Sequence, residues 1–163
     1  MKQRITTLFA GGLLALALFG VAAAGPFEDG QAAYQRGDYA AAMSYWRPLA
    51  EEGHANAQGN LGVMYANGQG VPQDYAQALI WLRKAADQGD AVAQNNLGGI
   101  YYEGQGILQD FVRAHMWFNL AASRAEDAET REQATKNREI LAAKMTPAQI
   151  AEAQRLASEW NPK

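Results

Sequence analysis

The chain has 163 residues, 48% of them hydrophobic and 19% charged, with 17 acidic against 14 basic side chains, a formal net charge of −3 and no cysteine. The missing cysteine excludes disulfide staples, thiol nucleophiles, cysteine-based metal sites and a lipidated-cysteine anchor. The acidic balance, with no stretch that clusters lysine, arginine and aromatic residues, argues against nucleic acid as a partner, because phosphate binding needs concentrated positive charge.

The first element in chain order is MKQRITTLFAGGLLALALFGVAAAG. Lys2 and Arg4 form a positive start, Leu8 to Val21 is apolar, and Ala22-Ala23-Ala24 supplies the small-x-small pattern of a cleavage site. The pattern predicts a signal peptide over residues 1–24 and an exported product, periplasmic or secreted in a Gram-negative-type bacterium, without stable membrane insertion after cleavage. An uncleaved anchor is the alternative, since the apolar run approaches spanning length. Loss of Lys2 and Arg4 leaves 12 basic against 17 acidic residues, a net charge of −5. One domain is expected, made of repeats over residues 25–124 and a helical cap over residues 125–163.

The repeat is visible on self-comparison. AQGNLGVMYANGQGVPQDYAQALIWLRKAA (Ala57 to Ala86) and AQNNLGGIYYEGQGILQDFVRAHMWFNLAA (Ala93 to Ala122) agree at fifteen of thirty positions without a gap. An earlier copy shows in Asp38, Tyr39, Ala42, Ala50 and Gly53, thirty-six residues before their counterparts. Before Asp38 the match of Tyr34-x-x-Gly37 to Tyr65-x-x-Gly68 predicts a first unit lacking five loop residues. Three units follow, over about residues 30–53, 57–90 and 93–124. Ala57, Leu61, Met64 and Tyr65 recur at helical spacing, as do Ala78, Trp81, Leu82 and Ala85. A pair of helices with one apolar stripe each buries that stripe only by stacking on its neighbours. The fold class is therefore all-α, an α/α solenoid of about three helix-turn-helix repeats. Trp81 and Trp117 are its expected anchors, each burying roughly 150–250 Å², at most about 4–6 kcal/mol. Gly62 and Gly98 recur inside the first helices, where glycine costs roughly 0.5–1 kcal/mol. Close approach to a facing aromatic ring is the expected reason.

The repeated loops NGQGVPQD and EGQGILQD join the two helices of each unit. Gly68 and Gly104 are read as left-handed helix ends, Gly70 and Gly106 as positions of unusual backbone dihedral. Pro72 keeps Val71 extended, and Asp74 and Asp110 cap the second helices. A phosphate loop needs a preceding strand and a further glycine or lysine; a calcium loop needs alternate acidic ligands and a closing glutamate. Neither pattern is present.

These residues carry a family resemblance. Ala57, Leu61, Gly62, Tyr65, Gly68, Gly70, Val71, Asp74, Ala78, Trp81, Ala85 and Ala86 closely resemble the Sel1-like repeat, a relative of the tetratricopeptide repeat. The third unit keeps the pattern with Leu97, Gly98, Tyr101, Gly104, Gly106, Asp110, Ala114 and Trp117, and with Ile107 for Val71. The first unit looks more like a tetratricopeptide unit. The resemblance implies an α/α solenoid acting as a protein-interaction scaffold.

Beyond Ala122 the repeat stops, and Ala125 stands where the previous unit has Gly89. A polar helix with Ala128, Ala134 and Leu141 as its apolar side is expected to cover the last unit. Thr146, Pro147 and Gln149 then form a capping box, with Met145 and Ile150 as a hydrophobic staple. Ile150, Ala153, Leu156, Ala157 and Trp160 make one stripe on the last helix, which is expected to pair with the polar helix as a cap.

No catalytic constellation emerges. His54 and His115 belong to no paired-histidine motif; Ser44, Ser123 and Ser158 lie in no GxSxG elbow; adjacent carboxylates such as Glu51-Glu52 point to different helix faces. No cofactor, metal or catalytic activity is expected. The expected function is a non-catalytic scaffold binding a protein or peptide on its concave face. In register that face holds Asn60, Val63 and Asn67, then Asn96, Gly99 and Glu103, and in the first unit Asp29, Ala32 and Arg36. Paired asparagines suit peptide-backbone recognition, since each carboxamide both donates and accepts. The rival expectation is a cell-wall or β-lactam hydrolase, a role associated with cysteine-rich exported relatives, whose cysteine pairs this chain lacks.

Overall fold

In the computed structural model residues 25–163 are described; the expected signal peptide lies outside them. Among the described residues there are eight helices and no strand: α1 (Pro26–Gln35), α2 (Tyr39–Glu51), α3 (Ala55–Asn67), α4 (Tyr75–Asp87), α5 (Ala91–Glu103), α6 (Phe111–Arg124), α7 (Ala128–Ala142) and α8 (Pro147–Glu159). No helix among them is long and apolar enough to cross a membrane.

The helix starts follow from single side chains. Every helix after α1 begins at a residue whose side chain accepts a hydrogen bond from its own first turn: Asp38, His54, Asp74, Asp90, Asp110, Asp127 and Thr146. Such acceptors satisfy N–H groups that have no partner within the helix. The α8 cap is the full capping box expected from Thr146 and Gln149. α3 and α5 end on Gly68 and Gly104, both left-handed, whose amides donate back to the carbonyls of Met64 and Ile100.

The helices pack as hairpins, α1 on α2, α3 on α4 and α5 on α6, and each second helix packs on the first helix of the next unit. α3 also touches α5, and α5 touches α7. The first helices thus crowd together and line the inner side of the stack. Trp46, Leu61, Met64 and Trp81 fill the core of the first half; Leu82, Leu97, Ile100 and Trp117 fill the second. Trp46, 2% exposed, is a third indole anchor that the repeat comparison missed, because its counterparts are Leu82 and Phe118.

The helical glycines mark the closest approaches. A Cβ on Gly98 would stand 2.5 Å from Cδ1 and Cε1 of Phe118; one on Gly62 would stand 2.5 Å from Cγ of Leu82. The facing group is therefore aromatic at Gly98 but aliphatic at Gly62, which corrects the expectation of a ring at both. Gly30 meets the indole of Trp46 in the same way. Since Trp46 lies thirty-six residues before Leu82, Gly30 corresponds to Gly62 and Gln35 to Asn67. Three residues join α1 to α2 where seven join α3 to α4, so the first unit lacks four loop residues rather than five. The Tyr34–Tyr65 match is a coincidence of sequence, one position out of register.

The second glycine of each loop has a packing reason as well as a dihedral one. Gly70 and Gly106 have φ of 73° and 70°. A Cβ on Gly70 would stand 2.9 Å from the backbone carbon of Tyr39, and one on Gly106 would stand 2.6 Å from Cβ of Tyr75. Each loop therefore lies on the first residue of the preceding unit's second helix, like one shingle on another.

At the C-terminal end, Ala125 (φ −58°, ψ 124°) leads the chain away extended where Gly89 (φ 95°) makes a left-handed turn. α7 packs on α6 and touches α5, with Asn137 Nδ2 donating to Asn95 Oδ1 (3.0 Å) and Arg138 Nη1 to Asn119 Oδ1 (2.9 Å). Ala134 and Leu141 are buried as expected, whereas Ala128 is exposed at the helix start. α8 does not pair with α7 to form the expected cap. It folds back onto α6, burying Ala153 and Ala157 and setting Trp160 edge-on to Trp117 with centroids 6.2 Å apart. The amide of Lys163 donates to the carbonyl of Asp87 (2.7 Å), which ties the tail to the end of α4.

Candidate interaction groove

The groups with chemical potential outside the inner face are engaged in structure. His54 Nδ1 accepts from the Ala57 amide (3.3 Å). The carboxylates of Asp74 and Asp110 accept from the amides of Gln77 and Arg113. In the loops, Gln73 Nε2 donates to the Ala66 carbonyl (2.7 Å) and Gln109 Nε2 to that of Tyr102 (2.6 Å). The hydroxyls of Ser44, Ser123 and Ser158 donate to carbonyls of their own helices. Among the described residues no three histidine, cysteine or acidic side chains gather as metal ligands.

His115 differs. It is 3% exposed, and its Nδ1 has no partner among the described residues. Burial, and secondarily the nearby Arg138 charge, hold its pKa below the ordinary histidine value, so the neutral imidazole is the resident form.

The inner face holds two adjoining hollows, each a product of the repeat. One, of about 230 Å³, lies between α3 and α5 and is lined by Val63, Asn67, Asn96, Gly99 and Glu103, with Asn95 and Gln105 beside them and Asn137 of α7 closing it. The other, of about 640 Å³, opens between α1 and α3 and is lined by Asn60, Val63 and Asn56, with Phe27, Tyr34 and Trp46 at its apolar end and Asp90 and Val92 reaching over from α5. Val63 borders both, so they form one trough. Beside those aromatic residues the first unit contributes Gln31 and Gln35, the counterparts of Val63 and Asn67 under the four-residue loop difference; Asp29, Ala32 and Arg36 do not line it.

The polar character of the trough is uneven. Asn95 is tied to Asn137, and Tyr34 Oη donates to Gln69 Oε1 (3.0 Å). Asn60 and Asn96 are half-buried, and their carboxamides bond to no other described residue. Asp90 accepts from the Ala93 amide (2.7 Å); burial raises its pKa above the ordinary carboxylate value against the pull of backbone hydrogen bonds. The Glu103 carboxylate accepts from the Gln105 carboxamide. No lysine or arginine lines either hollow.

A family model described as Sel1 repeat matches residues 15–54, 55–90 and 91–125. Similar solved structures include a protective antigen of uropathogenic Escherichia coli strains displaying an SLR fold, 35% identical with a TM-score of 0.76 over 83% of this chain. A Sel1 repeat protein from Oxalobacter formigenes is 28% identical with a TM-score of 0.66 over 85% of this chain. The chain spans 29% and 55% of those two proteins respectively. No curated protein sequence matches it.

Proposed function

Because this chain belongs to the Sel1-repeat family, whose members are generally protein-interaction scaffolds, we propose that it is an exported, non-catalytic adaptor that takes a peptide segment of a partner protein into the trough of α1, α3 and α5. The observation that carries this reading is the pair Asn60 and Asn96. They occupy the same position in successive units, lie half-buried in adjoining hollows, and bond to no other described residue. A carboxamide presents one acceptor and two donors in a plane, so two in register offer an extended backbone a ladder of hydrogen bonds. Export rests on the pattern of residues 1–24.

The test is the double substitution Asn60→Ala with Asn96→Ala, followed by crosslinking in the native envelope and identification of captured proteins. Loss of capture with unchanged helicity is the expected result. Undiminished capture overturns the assignment of the trough. Turnover of a chromogenic β-lactam or of peptidoglycan by the purified protein replaces the scaffold reading with the hydrolase one. Amino-terminal sequencing of the exported protein is expected to begin at Gly25.

A further inference from the structure

The trough has a polarity that narrows what fits it. Its two charged lining residues, Asp90 and Glu103, are both acidic, and the chain as a whole carries a net charge of −3. Glu103 is the last residue of α5 and Asn67 the last of α3, so both helices end at the hollow that Glu103 borders. A helix C-terminus carries partial negative charge, which adds to the Glu103 carboxylate and to the acceptors of Asn67 and Gln105. An acidic segment would meet repulsion there and no cation to offset it. A divalent ion would find a single carboxylate, too few oxygen ligands of the hard kind. At the other end, Phe27, Tyr34 and Trp46 wall the larger hollow, and Val92 stands 52% exposed at its rim.

Resting on the peptide-binding reading of this trough, we propose that its occupant is an extended segment carrying a lysine or arginine that docks at Glu103 and a large apolar side chain that enters the hollow between α1 and α3. The Asn60 and Asn96 carboxamides hold the backbone between these two anchors. The cation gives the segment its direction, because only the end of the trough nearest the α3 and α5 C-termini combines a carboxylate with two negative helix ends.

Selection of random displayed peptides on the purified exported protein tests this. Enrichment of sequences with a basic residue several positions from an aromatic or aliphatic one is expected. A peptide so selected should bind about two- to fivefold more weakly to Glu103→Gln, the range of an exposed ion pair, and more weakly to wild type as salt is raised. It should bind about tenfold more weakly to the Asn60→Ala, Asn96→Ala protein. Selected peptides that are neutral or acidic, yet still lose affinity on the asparagine substitutions, overturn the basic-segment inference and leave the peptide-binding reading standing. Failure to select any peptide sinks both. A dimer of the protein alone, seen by light scattering and dissociated by Glu103→Gln, makes a second copy the occupant and also overturns the inference.

Discussion

α5 contains two adjacent glycines that make an internally controlled test of the packing. A Cβ at position 98 would stand 2.5 Å from two ring carbons of Phe118 and 3.0 Å from a third, whereas one at position 99 would have nothing within 4 Å. Alanine in a helix is favoured over glycine by roughly 0.5–1 kcal/mol. Gly99→Ala should realise that gain in full. Gly98→Ala receives the same gain but drives α5 and α6 apart, and overpacking of a core contact costs about 1–3 kcal/mol. The net loss is on the order of 1–2 kcal/mol. With about 2–4 °C in Tm per kcal/mol for a domain of this size, Gly99→Ala should melt about 1–4 °C above wild type and Gly98→Ala about 2–8 °C below it, followed by far-UV circular dichroism. Gly62→Ala should be the most costly of the three, because the backbone nitrogen of Leu82 lies 3.0 Å from its new Cβ and cannot rotate away. A Gly98→Ala protein as stable as Gly99→Ala would refute the close-approach explanation of the helical glycines.

Three further perturbations probe other parts of the molecule. Thr146→Ala removes a complete capping box and should cost about 1 kcal/mol in urea denaturation, with α8 amides exchanging faster. Gln58→Met should be more destabilising than Gln94→Met by about 1–2 kcal/mol, since Gln58 Oε1 accepts from Gln88 (2.8 Å) while the buried Gln94 Oε1 has no described partner. His115 has a pKa lowered by burial, so below the ordinary histidine value the unfolded chain takes up a proton that the folded chain refuses. Its contribution to stability is thus complete above about pH 6.5 and is lost as pH falls toward the depressed folded value. Chemical denaturation between neutral and mildly acidic pH should show a smaller acid-induced decline for His115→Leu than for wild type; equal slopes would contradict the buried, neutral imidazole.

What was legible in the sequence is what a single turn or a single period encodes. The caps Asp74, Asp110 and Thr146 act within three residues of themselves, and the stripes through Leu61 and Leu97 are set by helical period, so both could be read without coordinates. The register of α1 could not, because Tyr34-x-x-Gly37 imitates Tyr65-x-x-Gly68 locally while the decisive contact, Gly30 against Trp46, is formed across the hairpin. That one-residue error moved the first-unit groove positions from Gln31 and Gln35 to Ala32 and Arg36. The course of α8 was equally out of reach: its stripe announces that it packs, but only the indole of Trp117 and the end of α4 determine where. Gln94 and Asn137 become informative only when their neighbours are known.

Each loop rests on the aromatic residue that opens the preceding second helix, Gly70 on Tyr39 and Gly106 on Tyr75. Phe111 holds the same position in the third unit and shares a cluster with Met145 of the α7–α8 turn, with no further glycine loop of the repeat among the described residues. Its neighbour Tyr102, where the second unit has Ala66, lays its own ring against Phe111 with centroids 5.8 Å apart. The Tyr102 ring therefore takes the place that a glycine loop takes in the earlier units, with Lys144 of the α7–α8 turn over it, while α7 and α8 close the array on α6. An inserted copy of the thirty-six-residue unit, entering with alanine at the position of Tyr102, would therefore bring its own glycine loop onto the Phe111 ring, a landing place already built.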